Sequence, residues 1–352
     1  MIYFDVTKTG AAGHRSGLTR VSSRLRDGLG GAASEVVWRD GALRRAGKKA
    51  EPVTLGASDW FFTSELFSEE ERPGFSAFLE AHGARCAVAF HDAIPLKHPH
   101  ITWPKSVARH PAYMKLLARF GRVWAVSQAS RDELLGFWRW LGLEHTPTVD
   151  VLPLGADLAD RSHLAASPEP ERQTASPSLL CVGIIEPRKN QAFLLDTCAA
   201  LWRSGLAFEL HLVGRVNPHF GAPIVAKIKE LRREHGTRLQ FHEAASDKTV
   251  ASLYATARAS VFPTIAEGCG LPLLESLAYG VPCMHSDLPV LQENAAGGGC
   301  LAAAVNDSAA WQSALRAVLT DRALHARLAN EAATRTLPTW AEAAQRLRAA
   351  LA

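Results

Sequence analysis

Residues 262–282 read FPTIAEGCGLPLLESLAYGVP. An apolar run ends at Phe262, a loop with two glycines follows, and Pro272 suits the first turn of a helix, where its missing N–H leaves no hydrogen bond unmade. Gly280 is placed to end that helix. A strand, a glycine-bearing loop and a helix in this order form the repeating unit of parallel α/β sheets, so this stretch predicts such a sheet.

The same alternation of short apolar runs and amphipathic stretches extends through the rest of the chain. Predicted strands occupy 2–6, 35–38, 60–63, 86–90, 123–126 and 149–152 in the first half, and 179–185, 208–213, 239–242 and 260–262 in the second. Helices between many of them are typical of parallel βαβ units. We therefore predict an α/β fold of two doubly wound domains, whose ligands bind beyond the carboxyl ends of the strands.

The periodicity stops at residues 165–178, AASPEPERQTASPS, where proline, serine and charge predominate. This stretch is the predicted linker between an N-terminal domain at 1–164 and a C-terminal domain at 179–336. Residues 337–352 follow as a separate predicted helix, with apolar residues at helical spacing.

Composition sets the broad class of the protein. Of its 352 residues, 47% are hydrophobic and 21% charged, which excludes intrinsic disorder and fibrous repeats. Its 39 Lys and Arg and its 35 Asp and Glu give a net charge of +4, and so small an excess does not indicate a nucleic acid partner. No apolar run approaches the ~18 residues of a membrane span and no leader is recognisable, so we expect a cytoplasmic protein. Its six cysteines lack Cys-x-x-Cys pairs, which is typical of reduced core thiols.

Two glutamates, Glu267 and Glu275, flank the predicted helix start. Glu267 lies in the loop and Glu275 in the first turn, and because helical side chains lean toward the N-terminus, the two carboxylates can converge there. Amides at a helix start bind anions, and glycines allow close approach. The predicted ligand-binding residues in this loop are Gly268, Cys269, Gly270 and Leu271. Backbone amides can bind phosphate groups, and carboxylates can bind hydroxyl groups. A site that combines them suits a ligand in which a sugar is joined to a nucleotide diphosphate.

This block resembles the Glu-x7-Glu signature of retaining GT-B glycosyltransferases of glycosyltransferase family 4, also called group 1. Pro263–Thr264 stands where that family usually has Pro-Ser, and Cys269 replaces its common Phe. The resemblance implies two Rossmann-like domains facing a cleft, and a C-terminal helix that often crosses back to the first domain. It also implies that Glu267 contacts the hydroxyls of the donor sugar and that Glu275 contacts the ribose.

A second motif, GIIEPRKN at 183–190, follows the first predicted strand of the second domain. Two adjacent cations beside a helix start can stabilise a departing diphosphate. The segment resembles the EPRKN run of the family, which implies that Arg188 and Lys189 grip the donor pyrophosphate. Many relatives carry an arginine directly after the glycine, where this chain has Ile184. Arg188 and Lys189 must therefore supply the positive charge without it.

Three shorter motifs lie in the first domain. The glycine-bearing run at 5–21 contains SGLTRV, which is similar to the family's TGI-x-RV segment and implies that Gly17 lies in the cleft. The run FHDAIPL at 90–96 resembles the family's HD-x-x-PL loop. That likeness implies that His91 positions the transferred sugar and the acceptor, with Asp92 beside it as a substrate-binding residue. LPLGAD at 152–157 resembles the turn that ends the family's first domain.

The resemblance implies a retaining enzyme that transfers a hexosyl unit from a nucleotide diphosphate sugar to a glycan or lipid-linked acceptor. The combined motifs are most similar to those of bacterial mannosyltransferases of surface polysaccharide synthesis, which implies GDP-mannose as the donor. No Asp-x-Asp occurs in the sequence, so we expect neither a metal nor another cofactor. The loop HEAAS at 242–246 is expected in the base pocket and does not decide between guanine and uracil.

Two other functions stay open at this point. A sugar-nucleotide 2-epimerase also uses the GT-B fold and needs no acceptor, and a non-catalytic subunit would bind the donor without transfer. A dehydrogenase is disfavoured because no GxGxxG follows a predicted strand.

Two stretches of the first domain bear on membrane contact. Residues 39–49 carry five cations, and residues 137–141 read FWRWL. We interpret the first as a solvated loop, or as a contact for anionic lipid headgroups or an acidic partner, and the second as core packing or an interfacial anchor. Peripheral contact with the cytoplasmic face of the inner membrane is therefore an open expectation.

Overall fold

The structure, a computed structural model, describes residues 1–11, 17–157 and 176–352. The chain divides into two compact units: unit 1 comprises Met1–Gly155 and Pro338–Ala352, and unit 2 comprises Ala156–Leu337. The boundary between the two units thus lies after Gly155, ahead of the boundary after residue 164 that the sequence predicts. Most of the predicted linker, residues 165–175, lies outside the described residues, and Ser178 already begins a strand of unit 2.

Unit 1 is built on a sheet of seven strands in the described part of the chain. They are β1 (Ile2–Asp5), β2 (Ala33–Arg39), β3 (Ala42–Arg45), β4 (Trp60–Thr63), β5 (Cys86–Phe90), β6 (Arg122–Ala125) and β7 (Val149–Val151). Their order is β3-β2-β1-β4-β5-β6-β7, and every pair of neighbours is parallel except β2 and β3. Six of these strands match those that the sequence predicts, to within a few residues.

The antiparallel strand β3 corrects the interpretation of residues 39–49 as a solvated loop. The physical reason is a two-residue turn at Asp40 and Gly41, whose φ angles are 53° and 71°. This left-handed backbone is that of a tight β-hairpin, for which Asp-Gly is a favoured pair. Most cations of the stretch remain exposed on the hairpin.

The helices of unit 1 before the boundary are α1 (Gly17–Leu29), α2 (Phe75–His82), α3 (Ile94–Lys97), α4 (Pro104–Leu117) and α5 (Gln128–Trp140). Two tryptophans near the end of α5 have different surroundings. Trp138 is buried and donates its Nε1–H to the carbonyl of Met114 at 2.7 Å, whereas Trp140 is 79% exposed. Of these two tryptophans, one therefore lies in the core and the other on the surface.

Unit 2 is built on six parallel strands in the described residues. They are β8 (Ser178–Val182), β9 (Glu209–Val213), β10 (Leu239–His242), β11 (Ala259–Phe262), β12 (Cys283–Ser286) and β13 (Cys300–Ala303). The helices are α6 (Gln191–Arg203), α7 (Ala222–His235), α8 (Asp247–Thr256), α9 (Leu271–Ala278), α10 (Pro289–Ala295), α11 (Ser308–Thr320) and α12 (Arg322–Ala333).

The strand order of unit 2 is β10-β9-β8-β11-β12-β13, so the winding reverses between β8 and β11. Ligands of doubly wound sheets bind at such a switch point, beyond the carboxyl ends of the strands. The loops that leave β8 and β11 are residues 183–190 and 263–270, which are the two motif loops of this unit. Topology therefore places both motifs where a ligand is expected.

The last helix, α13 (Trp340–Ala350), belongs to unit 1 although it follows unit 2 in the chain. It packs so closely on α1 that a Cβ on Gly28 would lie 2.6 Å from the Cβ of Ala344. A Cβ on Gly155 would lie 2.2 Å from the backbone nitrogen of Trp340. The buried apolar face of α13 stabilises its docking on unit 1.

The two sheets confirm the prediction of two doubly wound α/β domains. All six cysteines are free thiols. Within the residues that the structure describes, no helix is both long enough and apolar enough to pass through a bilayer.

Candidate functional site

Hydrogen bonds join the loop after β8 to the loop after β11. The backbone N–H of Ile265 donates to the carbonyl of Arg188 at 2.9 Å, and Thr264 Oγ1 lies 3.0 Å from the same carbonyl oxygen. Asn190 Nδ2 donates to the carbonyl of Pro263 at 3.1 Å. The structure therefore joins the two motifs into one site.

Glu267 lies at the centre of this junction, with its side chain 9% exposed. Its Oε1 accepts hydrogen bonds from Arg188 Nη1 at 2.9 Å, from Lys189 Nζ at 2.5 Å and from Thr264 Oγ1 at 2.9 Å. Burial by itself would raise the pKa of Glu267, but the charges of Lys189 and Arg188 outweigh it and hold the pKa below its ordinary value. The carboxylate is therefore ionised at neutral pH.

Lys189 is a buried cation that depends on this carboxylate. Its ammonium group lies 4.8 Å from the ring centre of Phe262, against an apolar surface. Burial lowers the pKa of Lys189, while the charge of Glu267 opposes that shift. Since an uncompensated buried charge is strongly unfavourable, Lys189 and Glu267 stabilise each other in the ionised state.

Arg188 holds its guanidinium between two carboxylates. Its Nε donates to Glu186 Oε1 at 3.0 Å, and its Nη2 lies 2.9 Å from the same oxygen. Its Nη1 donates to the carbonyl of Ala266 at 3.0 Å and to Glu267. One edge of the guanidinium is thus fixed on Glu186 while Nη1 reaches Glu267. The two cations and two carboxylates of this cluster carry no net charge.

Asn190 is a site residue that the sequence analysis missed. Its φ of 59° lies in the left-handed region, which asparagine adopts more readily than most residues, and it turns the chain from Lys189 into α6. Its Nδ2 also donates to Asn306 Oδ1 at 2.9 Å. An asparagine directly before an apolar helix is a signal that could have identified it.

Glu275 lies one position beyond the place that the sequence predicts. Helix α9 begins at Leu271, so Glu275 is its fifth residue and lies past the first turn. Its side chain is buried. Burial raises the pKa of Cys269 to about 12, and the negative charges of Glu267, Glu293 and Glu275 act in the same direction. Both predicted glutamates therefore lie within electrostatic reach of the Cys269 thiol.

The start of α9 is shaped by Gly270, whose φ is 79°. A Cβ at this position would lie 2.5 Å from Leu291 Cδ2, so a larger residue would have to displace that side chain and would be strained at this φ. Pro272 carries no N–H, and the amides of Leu273 and Leu274 donate to the carbonyl of Gly270 at 3.0 and 3.4 Å. An anion bound at this helix start would therefore have to use amides ahead of Pro272, in the predicted segment 268–271.

His91 and Asp92 lie in unit 1, after β5. His91 is buried, and its Nε2 lies 2.8 Å from the carbonyl of Ser64. Because a carbonyl only accepts, Nε2 carries the proton and Nδ1 is the acceptor. Burial lowers the pKa of His91, so the ring is neutral at physiological pH. Asp92 Oδ1 accepts the backbone N–H of Ile94 at 3.0 Å and so supports the start of α3.

A buried ionic network in unit 1 escaped the sequence analysis. Arg72 is 1% exposed and lies between Asp5 Oδ2 at 2.7 Å and Glu65 Oε2 at 2.5 Å. Glu65 also accepts the backbone N–H groups of Lys8 and Thr9, at 2.9 and 2.7 Å. Because Lys8 and Thr9 lie shortly after β1, this network fixes the course of the chain where it leaves that strand.

Residues 12–16 of that glycine-bearing run lie outside the described residues. Gly17 begins α1 and is exposed. Apart from its neighbours in the chain, no described atom lies within 4 Å of the place that a Cβ of Gly17 would take. The structure thus gives no steric reason for glycine here, and the placement of Gly17 in a cleft stays a prediction.

Residues 176–321 match the family model described as "Glycosyl transferases group 1". Most of unit 2 is therefore similar to the group 1 glycosyl transferases. The match includes both motif loops and therefore Arg188, Lys189 and Glu267. It is the family that the sequence motifs resemble.

Curated relatives extend the likeness beyond unit 2. The serotype-specific mannosyltransferase WbdA of Escherichia coli is 30% identical over 260 residues, which is 69% of this chain and 31% of that protein. The D-inositol 3-phosphate glycosyltransferase of Nocardia farcinica is 26% identical over 291 residues, 74% of this chain and 63% of that protein. The chain thus spans about a third of the length of the mannosyltransferases that it matches first.

Solved structures share the fold. Sucrose-phosphate synthase from Thermosynechococcus elongatus superposes with a TM-score of 0.64 at 19% identity, over 98% of this chain and 94% of that chain. The trehalose 6-phosphate synthase of Burkholderia multivorans gives a TM-score of 0.63 at 12% identity, over 85% of this chain and 74% of that chain. These likenesses confirm the predicted GT-B class, with its two Rossmann-like domains.

Proposed function

We propose that this protein is a retaining glycosyltransferase that transfers a hexosyl unit, mannose from GDP-mannose, to a glycan or lipid-linked acceptor in polysaccharide synthesis. The observation that carries the proposal is the buried cluster at the switch point of unit 2, where Arg188 and Lys189 meet on Glu267. The description of WbdA as a mannosyltransferase supports the choice of donor.

The cluster suits a ligand that carries both phosphate and hydroxyl groups. In the arrangement described, Glu267 occupies the N–H groups of Arg188 and Lys189. A diphosphate offers acceptor oxygens to the same N–H groups and displaces the carboxylate, which then accepts hydrogen bonds from the sugar hydroxyls. Donor binding therefore exchanges one set of charge-assisted hydrogen bonds for another. Glu275 binds the ribose in this scheme, as the family resemblance implies.

The reaction breaks the bond between the anomeric carbon and the diphosphate oxygen, and it forms a bond from the acceptor oxygen to the same face of that carbon. The leaving phosphate takes the proton of the acceptor hydroxyl. Charge that develops on the diphosphate lies beside Arg188 and Lys189, which stabilises its departure. We therefore propose that the step needs no metal. His91 positions substrate, since its Nδ1 accepts a hydrogen bond from a hydroxyl group.

The test is transfer from GDP-mannose to a mannosyl oligosaccharide acceptor, with GDP release measured and the product analysed by NMR. We expect an α-mannoside, which preserves the configuration of the donor. A β-linked product would refute retention, and transfer from UDP-sugars alone would refute the mannose donor. Activity that is abolished by EDTA and restored by Mg²⁺ would contradict the metal-free step.

Two controls separate the alternatives that the sequence leaves open. The donor is incubated without acceptor, and an epimer in the NMR spectrum would favour the sugar-nucleotide 2-epimerase. Donor binding without transfer to any glycan acceptor would favour the non-catalytic subunit. Transfer without epimer formation supports the proposed transferase.

We also propose peripheral contact of unit 1 with the cytoplasmic face of the inner membrane, where a lipid-linked acceptor would lie. Trp140 and Trp103 are 79% and 44% exposed, and Arg139 beside Trp140 is also exposed. Exposed tryptophan beside a cation is typical of interfacial anchors. Co-sedimentation with anionic vesicles tests this contact, with Leu18→Ala as a control at another exposed apolar residue. Equal binding of Trp140→Ala and the wild type would refute the anchor.

A further inference from the structure

Asn217 lies in the loop after β9 and is 4% exposed. Its Oδ1 accepts the backbone N–H groups of His219 at 2.9 Å and of Phe220 at 3.2 Å. Its own backbone N–H donates to the carbonyl of Ile185 at 3.1 Å. These bonds fix the orientation of the side-chain amide, because only its oxygen can accept from two N–H groups.

The amide nitrogen of Asn217 is directed at Glu186. Nδ2 donates to Glu186 Oε2 at 2.8 Å, while Glu186 Oε1 accepts from Nε of Arg188 at 3.0 Å. Each carboxylate oxygen of Glu186 therefore has its own partner. With one edge of the guanidinium held in this way, Nη1 of Arg188 faces Ala266 and Glu267. A continuous chain of hydrogen bonds thus leads from a buried asparagine to a cation of the candidate site.

The neutral amide is suited to this position for an electrostatic reason. A cation in place of Asn217 would compete with Arg188 for the charge of Glu186, and an apolar residue would leave one carboxylate oxygen without a donor. The amide of Asn217 fixes the rotation of the Glu186 carboxylate without neutralising it, so the negative charge of Glu186 continues to attract Arg188. Such outer partners preorganise the groups that touch a ligand.

We propose that Asn217 is a positioning residue for donor binding: it holds Glu186, and through Glu186 it holds Arg188 with Nη1 presented to the diphosphate. The inference rests on the proposed function, since it takes the diphosphate of the donor as the ligand of Arg188. No motif of the sequence analysis includes Asn217.

The variant Asn217→Asp isolates this role. The new carboxylate still accepts from His219 and Phe220, but it no longer donates to Glu186 and adds a second negative charge beside it. Because hydrogen bonds to charged groups contribute about 1.5–3 kcal/mol, GDP should bind roughly 10- to 100-fold more weakly by isothermal titration calorimetry. GMP lacks the second phosphate, and its affinity should change less than about threefold. Asn330→Asp, at an exposed position of α12, is the matched control and should bind as the wild type does.

A reciprocal exchange provides the rescue. In the double variant Glu186→Gln with Asn217→Asp, the new amide donates to the new carboxylate, and its oxygen still accepts from Arg188. GDP affinity should return to within about fivefold of the wild type. If circular dichroism shows that Asn217→Asp does not fold, Glu186→Gln alone replaces it. One of the two oxygens of Glu186 then becomes an NH2 group, which cannot accept from Asn217 or from Arg188, and the variant should lose GDP affinity in the same way.

The outcomes separate this inference from the proposed function. Wild-type protein that binds neither GDP nor UDP more tightly than the corresponding monophosphate would overturn both. If the wild type shows that preference, the positioning role of Asn217 is overturned by any of three results. These are unchanged GDP affinity in the single variant, equal losses for GDP and GMP, and a double variant no tighter than Asn217→Asp.

Discussion

Glu267→Gln should have opposite effects on binding and on transfer. The change removes one negative charge, keeps the shape of the side chain and leaves an oxygen that can still accept from Arg188, Lys189 and Thr264. GDP should bind more tightly, because no carboxylate then competes with the phosphates for the two cations. Transfer from GDP-mannose should slow, because the carboxylate proposed to accept from the sugar hydroxyls is lost.

The size of the binding effect follows from the two charged contacts. Glu267 Oε1 accepts from Arg188 at 2.9 Å and from Lys189 at 2.5 Å. Hydrogen bonds to charged groups contribute about 1.5–3 kcal/mol, roughly twice the value for neutral pairs, so an amide weakens each bond by ~1 kcal/mol. The sum of ~2 kcal/mol corresponds to GDP binding that is roughly 30-fold tighter. Loss of a contact made in the transition state lowers turnover by about 10²–10³.

Both quantities can be measured on the same preparation, GDP binding by isothermal titration calorimetry and turnover by GDP release from GDP-mannose. Glu230→Gln, at an exposed position of α7, removes the same charge away from the site and serves as the control. Weaker GDP binding in Glu267→Gln would refute the competition between this carboxylate and the diphosphate. Undiminished turnover would refute its contact with the donor sugar.

Three further predictions concern charge in the two units. Lys189→Ala should lower donor turnover by about 10²–10³, measured by GDP release, and an undiminished rate would contradict its contact with the diphosphate. Arg72→Ala leaves Asp5 and Glu65 buried without their cation and should lower the free energy of unfolding of unit 1 by about 3–5 kcal/mol, measured by urea denaturation. A loss under about 1 kcal/mol would show that the network does not stabilise the unit. The pKa of Glu267 is lower in the folded protein, so its ionisation stabilises the fold above the ordinary pKa of 4.5 and this contribution is lost as the pH falls through the folded value. As the pH is lowered, the melting temperature of the wild type should therefore fall more steeply than that of Glu267→Gln. Equal falls in the two proteins would contradict this.

The sheets were predictable because buried parallel strands are continuous apolar runs. Residues 86–90, CAVAF, are all buried and are a strand in both the prediction and the structure. Strand β3 was not predictable in this way, since residues 42–45 alternate little and end in two arginines. Its pairing depends on the Asp40–Gly41 turn, which is a local signal and not a hydrophobic one.

The meeting of the two motif loops of unit 2 was predictable from topology, since both follow strands at the switch point. The contact of Glu267 with both cations was not, because it depends on the backbone of two loops and on the left-handed turn at Asn190. Asn217 and the Asp5–Glu65–Arg72 network were missed for another reason. Their partners lie in separate segments with no fixed spacing, so no motif connects them.

Helix α13 has a consequence for the order in which the protein is completed. Unit 2 is, in sequence, an insertion into unit 1 between Gly155 and Pro338, and the two crossing points are held together where Gly155 meets Trp340. A chain that stops at Leu337 would contain all of unit 2 but would lack the helix that covers α1. Unit 1 therefore begins to be synthesised first, but it can be completed only after residues 338–352 have been made.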